Sequence, residues 1–95
     1  MNSEISCERL QELIKDGAQL IDVRSTIEFN QGAINGAINL PITSIQHNTD
    51  TIDQSKPILL YCRSGQRSGM VQQFLISLGF KDVYNIGGYT KYAFC

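Results

Sequence analysis

The sequence predicts an α/β layer fold built on a mainly parallel sheet. Three observations predict it. Ile58-Leu59-Leu60-Tyr61 is a continuous apolar run behind Pro57, the pattern of a central strand covered on both faces. Over residues 66–78 the apolar residues Met70, Val71, Phe74, Leu75 and Leu78 recur at helical spacing. Strand-like and helix-like segments alternate along the chain, which is the order of parallel strands joined by helical crossovers.

Each element carries local signals. Residues 7–15 read as a short helix with Leu10, Leu13 and Ile14 on one face. Ser6 is its N-cap, Ile5 and Leu10 form a hydrophobic staple, and Gly17 is the stop. Residues 19–23 read as a buried strand with Asp22 near its end. Residues 25–31 form one or two helical turns, capped by Ser25 and closed by Gly32. Residues 37–40 are a second short strand, stopped by Pro41. Residues 42–57 offer Ile42, Ile45 and Ile52 to the core from a short helix or from irregular chain. After the strand at Ile58, Gly79 ends the long helix, residues 83–86 make a last strand, and Gly87-Gly88 is a sharp turn. No repeat, linker or low-complexity tract divides the chain, so residues 1–95 are expected to be a single domain.

Composition bounds the function. Ninety-five residues, 42% of them apolar, supply one modest core, burying roughly 60–65% of the surface the unfolded chain exposes. Eight basic against nine acidic residues leave a net charge of -1, which argues against a nucleic-acid partner and its need for a basic face. No apolar run approaches the ~20 residues of a membrane span, and the start carries an acid and no base, unlike a signal peptide. The expectation is a soluble, cytoplasmic monomer with no membrane partner, unless a longer precursor existed. Three cysteines, Cys7, Cys62 and Cys95, and one histidine show no metal-ligand spacing, so no metal and no cofactor are expected.

The chemistry concentrates at Cys62. The strand ends there, the loop Arg63-Ser64-Gly65 follows, and a helix begins at Gln66. Ligands collect at the carboxyl ends of strands in open α/β sheets, and a helix N-terminus favours an anion. Arg63 and Arg67 add positive charge. A thiol so placed is depressed towards thiolate, and Gly65 lets several amides turn towards one centre. The alternative is a packed strand-end cysteine beside solvated arginines. Two arginines, two serines and two glycines in the seven residues after Cys62 suit an anion better than a core.

These segments together resemble the single-domain rhodaneses, the thiosulfate sulfurtransferase family. The resemblance rests on Leu20-Ile21-Asp22-Val23-Arg24, Glu28-Phe29, Gly36-Ala37-Ile38-Asn39-Leu40-Pro41, Tyr61-Cys62-Arg63-Ser64-Gly65, Arg67-Ser68 and Asn85-Ile86-Gly87-Gly88. It covers nearly the whole chain. It implies a three-layer fold with a central sheet of about five strands. It also implies that Cys62 is the catalytic nucleophile, taking sulfane sulfur from thiosulfate or a persulfide donor as a covalent persulfide. Cyanide, a thiol or a protein cysteine would then accept the sulfur. Arg63 and Arg67 would hold the donor, the amides of Arg63, Ser64, Gly65, Gln66, Arg67 and Ser68 would cradle the outer sulfur, and Asp22 would support the loop or pair with Arg67.

Loop length separates related activities. The phosphatases and arsenate reductases that share this scaffold use Cys-x5-Arg, whereas Cys62 to Arg67 is Cys-x4-Arg and the next position is Ser68. A catalytically silent, anion-binding module is the other alternative. The chain departs from the family where Ala33 and Asn35 replace a usual histidine and proline, and where Tyr92 stands in for a usual tryptophan. Arg24 and Glu28, four apart, are expected to pair on a helix surface. Cys7 is expected to be a structural packing residue, His47 to be structural or solvated, and Cys95 to be a terminal thiol, inert or able to reach Cys62.

Overall fold

A computed structural model describes residues 4–95. Helix α1 spans Cys7–Lys15, and Ser6 caps it by accepting from the Arg9 amide at 3.1 Å. Strand β1, Gln19–Asp22, leads to α2, Thr26–Gln31. There Ser25 and Glu28 form a reciprocal capping box, and Gly32 closes the helix. The short strand β2, Ile38–Asn39, precedes two 3-10 turns, Ile45–His47 and Thr49–Thr51, which fill the stretch the sequence left ambiguous. Strand β3, Ile58–Cys62, helix α3, Gln66–Ser77, strand β4, Val83–Gly88, and a final turn of helix, α4, Tyr89–Tyr92, complete the chain.

The strands pair in parallel in the order β2-β1-β3-β4. All five residues of β3 are buried, as a central strand with both faces covered requires. Alternation sends Ile58, Leu60 and Cys62 to one face, where they meet Val71 and Leu75 of α3, Ile45 of the first 3-10 turn and Ile52 just after the second. It sends Leu59 and Tyr61 to the other face, against Leu10 of α1 and Tyr92 of α4. The two cores make a three-layer molecule.

Four strands are present among the described residues, not five. The residues themselves mark only four strand-like segments; the fifth came from the family resemblance alone. The Gly87-Gly88 pair is not a sharp turn. Both residues stay in β4, beyond an irregularity at which Leu60 pairs with Asn85 but Tyr61 pairs with Gly87. This bulge adds a residue to β4 and carries Gly88 alongside Cys62. A Cβ on Gly88 would lie 2.7 Å from the Arg63 carbonyl oxygen, so the glycine permits a close backbone approach rather than a turn. Along α3, Ser68, Val71, Gln72 and Leu75 are buried, while Met70, off that face of the helix, and Leu78, just beyond its last residue, are 57% and 50% exposed and lie outside the core the spacing predicts.

Cys95 does not reach Cys62. It forms a disulfide with Cys7, 88 residues away in sequence. The pair lies beside the α1/α4 core and Cys62 in the opposite one, so the sheet separates them. No helix among the described residues is long and apolar enough to cross a membrane.

The carboxyl ends of β1 and β3 are tied through Asp22, which is fully buried. Asp22 accepts from the Arg24 amide at 2.8 Å, from Arg24 Nη2 at 2.7 Å and from the Tyr61 hydroxyl at 2.6 Å. Tyr61 Oη accepts in turn from the Ile34 amide at 3.1 Å. Burial, then the bond to Asp22, pushes the Tyr61 phenol well above its ordinary value, so it remains a donor. Tyr61→Phe leaves the Ile34 amide unpaired and Asp22 short of one donor. It should lower unfolding stability by roughly 1–3 kcal/mol, read from urea denaturation; an unchanged midpoint would contradict this account of the network.

Candidate active site

Cys62 ends β3 and is 1% exposed. Its sulfur lies inside the loop that follows. The Gly65 amide donates to Sγ at 3.0 Å and the Ser68 amide at 3.4 Å. Gly65 makes this possible with a φ of 94°, a left-handed conformation that a side chain would strain. Gly65 is also the residue from which α3 starts, so the loop amides and the first helical amides converge on one atom.

Burial pushes the Cys62 thiol up. Hydrogen bonds from the Ser68 hydroxyl and amide and from the amides of Ser64 and Gly65 outweigh it, leaving the thiol below its ordinary value. The hydroxyl contributes little. Ser68 Oγ donates to Oδ1 of Asn85 at 2.7 Å, against 3.5 Å to the sulfur, and one proton cannot serve both. The backbone amides therefore carry most of the stabilisation of the thiolate.

Asn85 escapes the sequence reading. It is buried, donates from Nδ2 to the Gly65 carbonyl at 2.9 Å and accepts from the Gly87 amide at 3.1 Å, locking the loop against β4. Its signal in the sequence is a polar residue at an inward position of an apolar strand.

The charged residues are arranged differently from expectation. Asp22 pairs with Arg24 at 2.7 Å and not with Arg67. Arg24 does not pair with Glu28. Glu28 instead binds Arg67 through two parallel bonds, Nη1 to Oε1 at 2.7 Å and Nη2 to Oε2 at 2.9 Å. The reason is geometric. Arg24 turns inward to the buried Asp22, and α2 then presents Glu28 to the loop. Arg67 stays near enough to Cys62 for the sulfur's charge to help raise its own pKa, after the larger effect of Glu28. Arg63, Ser64 and Gln66 are exposed at the rim, Gly65 and Ser68 are buried beneath it, and Arg63 has no ion pair among the described residues. His47 is exposed beside Gln46, away from this centre. No cluster of metal-ligating side chains occurs among the described residues.

A sulfur held by backbone amides at the carboxyl end of a central parallel strand defines an α/β module built around a cysteine. More narrowly, the chain belongs to the rhodanese-like domain family, whose model matches residues 6–94. It is 36% identical over 94 residues to the thiosulfate sulfurtransferase GlpE of Coxiella burnetii, covering 97% of this chain and 88% of that protein. It is 42% identical over 76 residues to the uncharacterised protein YqhL of Bacillus subtilis, covering 79% of this chain and 60% of that protein. The chain therefore spans only about three-fifths of the length of that relative. Among solved structures, a rhodanese with anions from E. coli superposes with a TM-score of 0.72 at 30% identity, covering 81% of this chain and 93% of that one.

The Glu28–Arg67 pair has a pH signature. The Arg67 hydrogen bonds, opposed by burial and helped by Ser25, hold the Glu28 carboxyl at about 2 against an ordinary 4.5. Because the folded value is the lower one, the stabilisation is present above pH 4.5 and is lost as pH falls towards about 2. Glu28→Gln should destabilise the protein near neutral pH, and the difference from wild type should shrink through this window. Urea unfolding across the window checks it; a pH-independent difference would contradict the pairing.

Proposed function

We propose that the protein is a sulfurtransferase that carries sulfane sulfur on Cys62. The observation that carries this reading is the buried sulfur of Cys62 under the amides of Gly65 and Ser68, in a loop short enough to close around one added sulfur atom. The Cys-x4-Arg spacing favours sulfur over the tetrahedral oxyanion of a phosphatase, and the thiosulfate sulfurtransferase at 36% identity supports the same class.

In the first half-reaction the Cys62 thiolate attacks the outer sulfur of thiosulfate. A bond forms between Sγ and that sulfur, the sulfur–sulfur bond of thiosulfate breaks, and sulfite leaves with the electron pair. The persulfide so formed is terminal and anionic, and the loop amides from Arg63 to Ser68 are its donors. In the second half-reaction a thiophilic acceptor, cyanide or a thiol, attacks the outer sulfur, and Cys62 departs as the thiolate that the amides already favour. No metal or cofactor takes part in either step. Arg63 supplies the unpaired positive charge for the donor. Arg67 acts from within its pair with Glu28, which fixes its position over the loop.

Incubation with thiosulfate should add one sulfur atom to the intact mass, and Cys62→Ser should abolish the addition. With cyanide present, thiocyanate should accumulate. Arg67→Ala should slow turnover by a factor consistent with one charge-assisted contact, roughly 1.5–3 kcal/mol. Absence of both the mass gain and thiocyanate would overturn the reading in favour of a silent anion-binding module.

A further inference from the structure

Beside the cradle lies a second space that the thiosulfate reaction leaves unused. It is a cavity of about 400 Å³ between α2 and α4, lined by Arg24, Glu28, Gly32, Arg63, Tyr89 and Thr90 among others. Arg63 directly follows Cys62, and Glu28 is bound to Arg67 of the loop, so the cavity and the cradle share a wall. A compact dianion at the loop mouth does not need this volume, which lies in the range of small-molecule sites.

The charged groups of this cavity are asymmetric. Both carboxylate oxygens of Glu28 receive Arg67, and the Gly32 carbonyl receives Arg24 Nη2 at 2.6 Å, while the exposed Gln31 amide is a neutral lining group. The guanidinium donors are not all taken. The Arg24 side chain is 6% exposed and spends Nε and Nη2 on Asp22 and Gly32, while Nη1 donates to no atom among the described residues. Its guanidinium carbon sits 4.3 Å from the centre of the Tyr89 ring, within cation–π distance. Arg63 has no ion pair, and the Thr90 hydroxyl has no hydrogen-bond partner among the described residues. Asp22 balances Arg24 and Glu28 balances Arg67, which leaves Arg63 as the unmatched charge.

We propose that this cavity is the acceptor subsite, and that the acceptor is a small thiol bearing a carboxylate. The carboxylate binds Arg24 Nη1 and Arg63, and the thiol end reaches over Arg63 to the cradle. There the acceptor thiolate attacks the outer sulfur of the Cys62 persulfide. A bond forms between the acceptor sulfur and the outer sulfur, the bond from the outer sulfur to Cys62 Sγ breaks, Cys62 leaves as thiolate with the electron pair, and the acceptor departs as a persulfide anion. The assignment rests on the sulfur-transfer reading above and adds the acceptor's class to it.

The test compares mercaptopropionate with its neutral methyl ester. Protein loaded with sulfur and freed of thiosulfate is mixed with each thiol, and loss of the persulfide is followed by mass. Rates are taken per thiolate and relative to the same pair acting on a free low-molecular-weight persulfide. Wild type should discharge to the carboxylate about tenfold faster, the scale of one charge-assisted contact. Arg63→Gln should bring the ratio close to one, and Arg24→Lys, which keeps the charge but loses the fork, should lower it. A ratio near one in wild type, or an undiminished ratio in Arg63→Gln, would overturn the subsite. A second arm needs no sulfur chemistry: methylthiopropionate, but not its ester, should shift the NMR signals of Arg24 Nε–H and Arg63 Nε–H in unloaded protein. If thiosulfate fails to load Cys62 while these shifts occur, the transfer reading fails and the subsite stands. If loading succeeds and no shift occurs, the subsite fails alone.

Discussion

A buried cysteine sulfur and a ring of backbone amides each lack a partner alone, and at the end of β3 they satisfy one another. The amides of Gly65 and Ser68 have no carbonyl to bond, because the chain is turning from strand to helix; Cys62 Sγ takes them both. An anionic sulfur buried without them would be expelled or protonated. The surroundings are arranged to keep this ring closed. Gly65 takes the left-handed conformation, Asn85 holds its carbonyl, and the bulge in β4 brings Gly88 against the Arg63 carbonyl. Fold and chemistry meet in one hydrogen-bonding requirement.

Three arginines near the site divide the work. Arg24 is built into the protein through Asp22; burial is the largest single influence and pulls its pKa down, but the bonds and charge of Asp22, with smaller contributions from Tyr61, together raise it. Arg67 is fixed by Glu28 at the edge of the loop. Arg63 alone is exposed and unmatched. The thiolate thus depends on fixed dipoles more than on mobile charge, and the free charge is left for whatever approaches from solvent. Such preorganised dipoles need no rearrangement as charge shifts between sulfur atoms.

Much of this was legible in the sequence because it is local. Ser6 and Ser25 marked helix starts, Gly17 and Gly32 marked stops, and the apolar run at Ile58 marked the central strand. The cradle was legible too, since a cysteine, a glycine and a helix start within four residues force amides towards sulfur. What escaped is what depends on distant pairing. Nothing in the sequence says that Arg24 turns in to Asp22 and frees Glu28 for Arg67, 39 residues on. Asn85 carried a faint signal, as a polar residue facing inward. Cys7 and Cys95 sit at opposite ends of the chain, and only the packing of α1 beside α4 brings them into one bridge.

That bridge leaves Cys62 as the sole free thiol, so its ionisation can be read without interference. The rate of alkylation by iodoacetamide, followed against pH in the absence of reductant, reports the fraction of thiolate. The account predicts a midpoint below the ordinary thiol value of about 8.5. A midpoint at or above that value would mean that burial prevails over the amides, and would contradict the thiolate cradle.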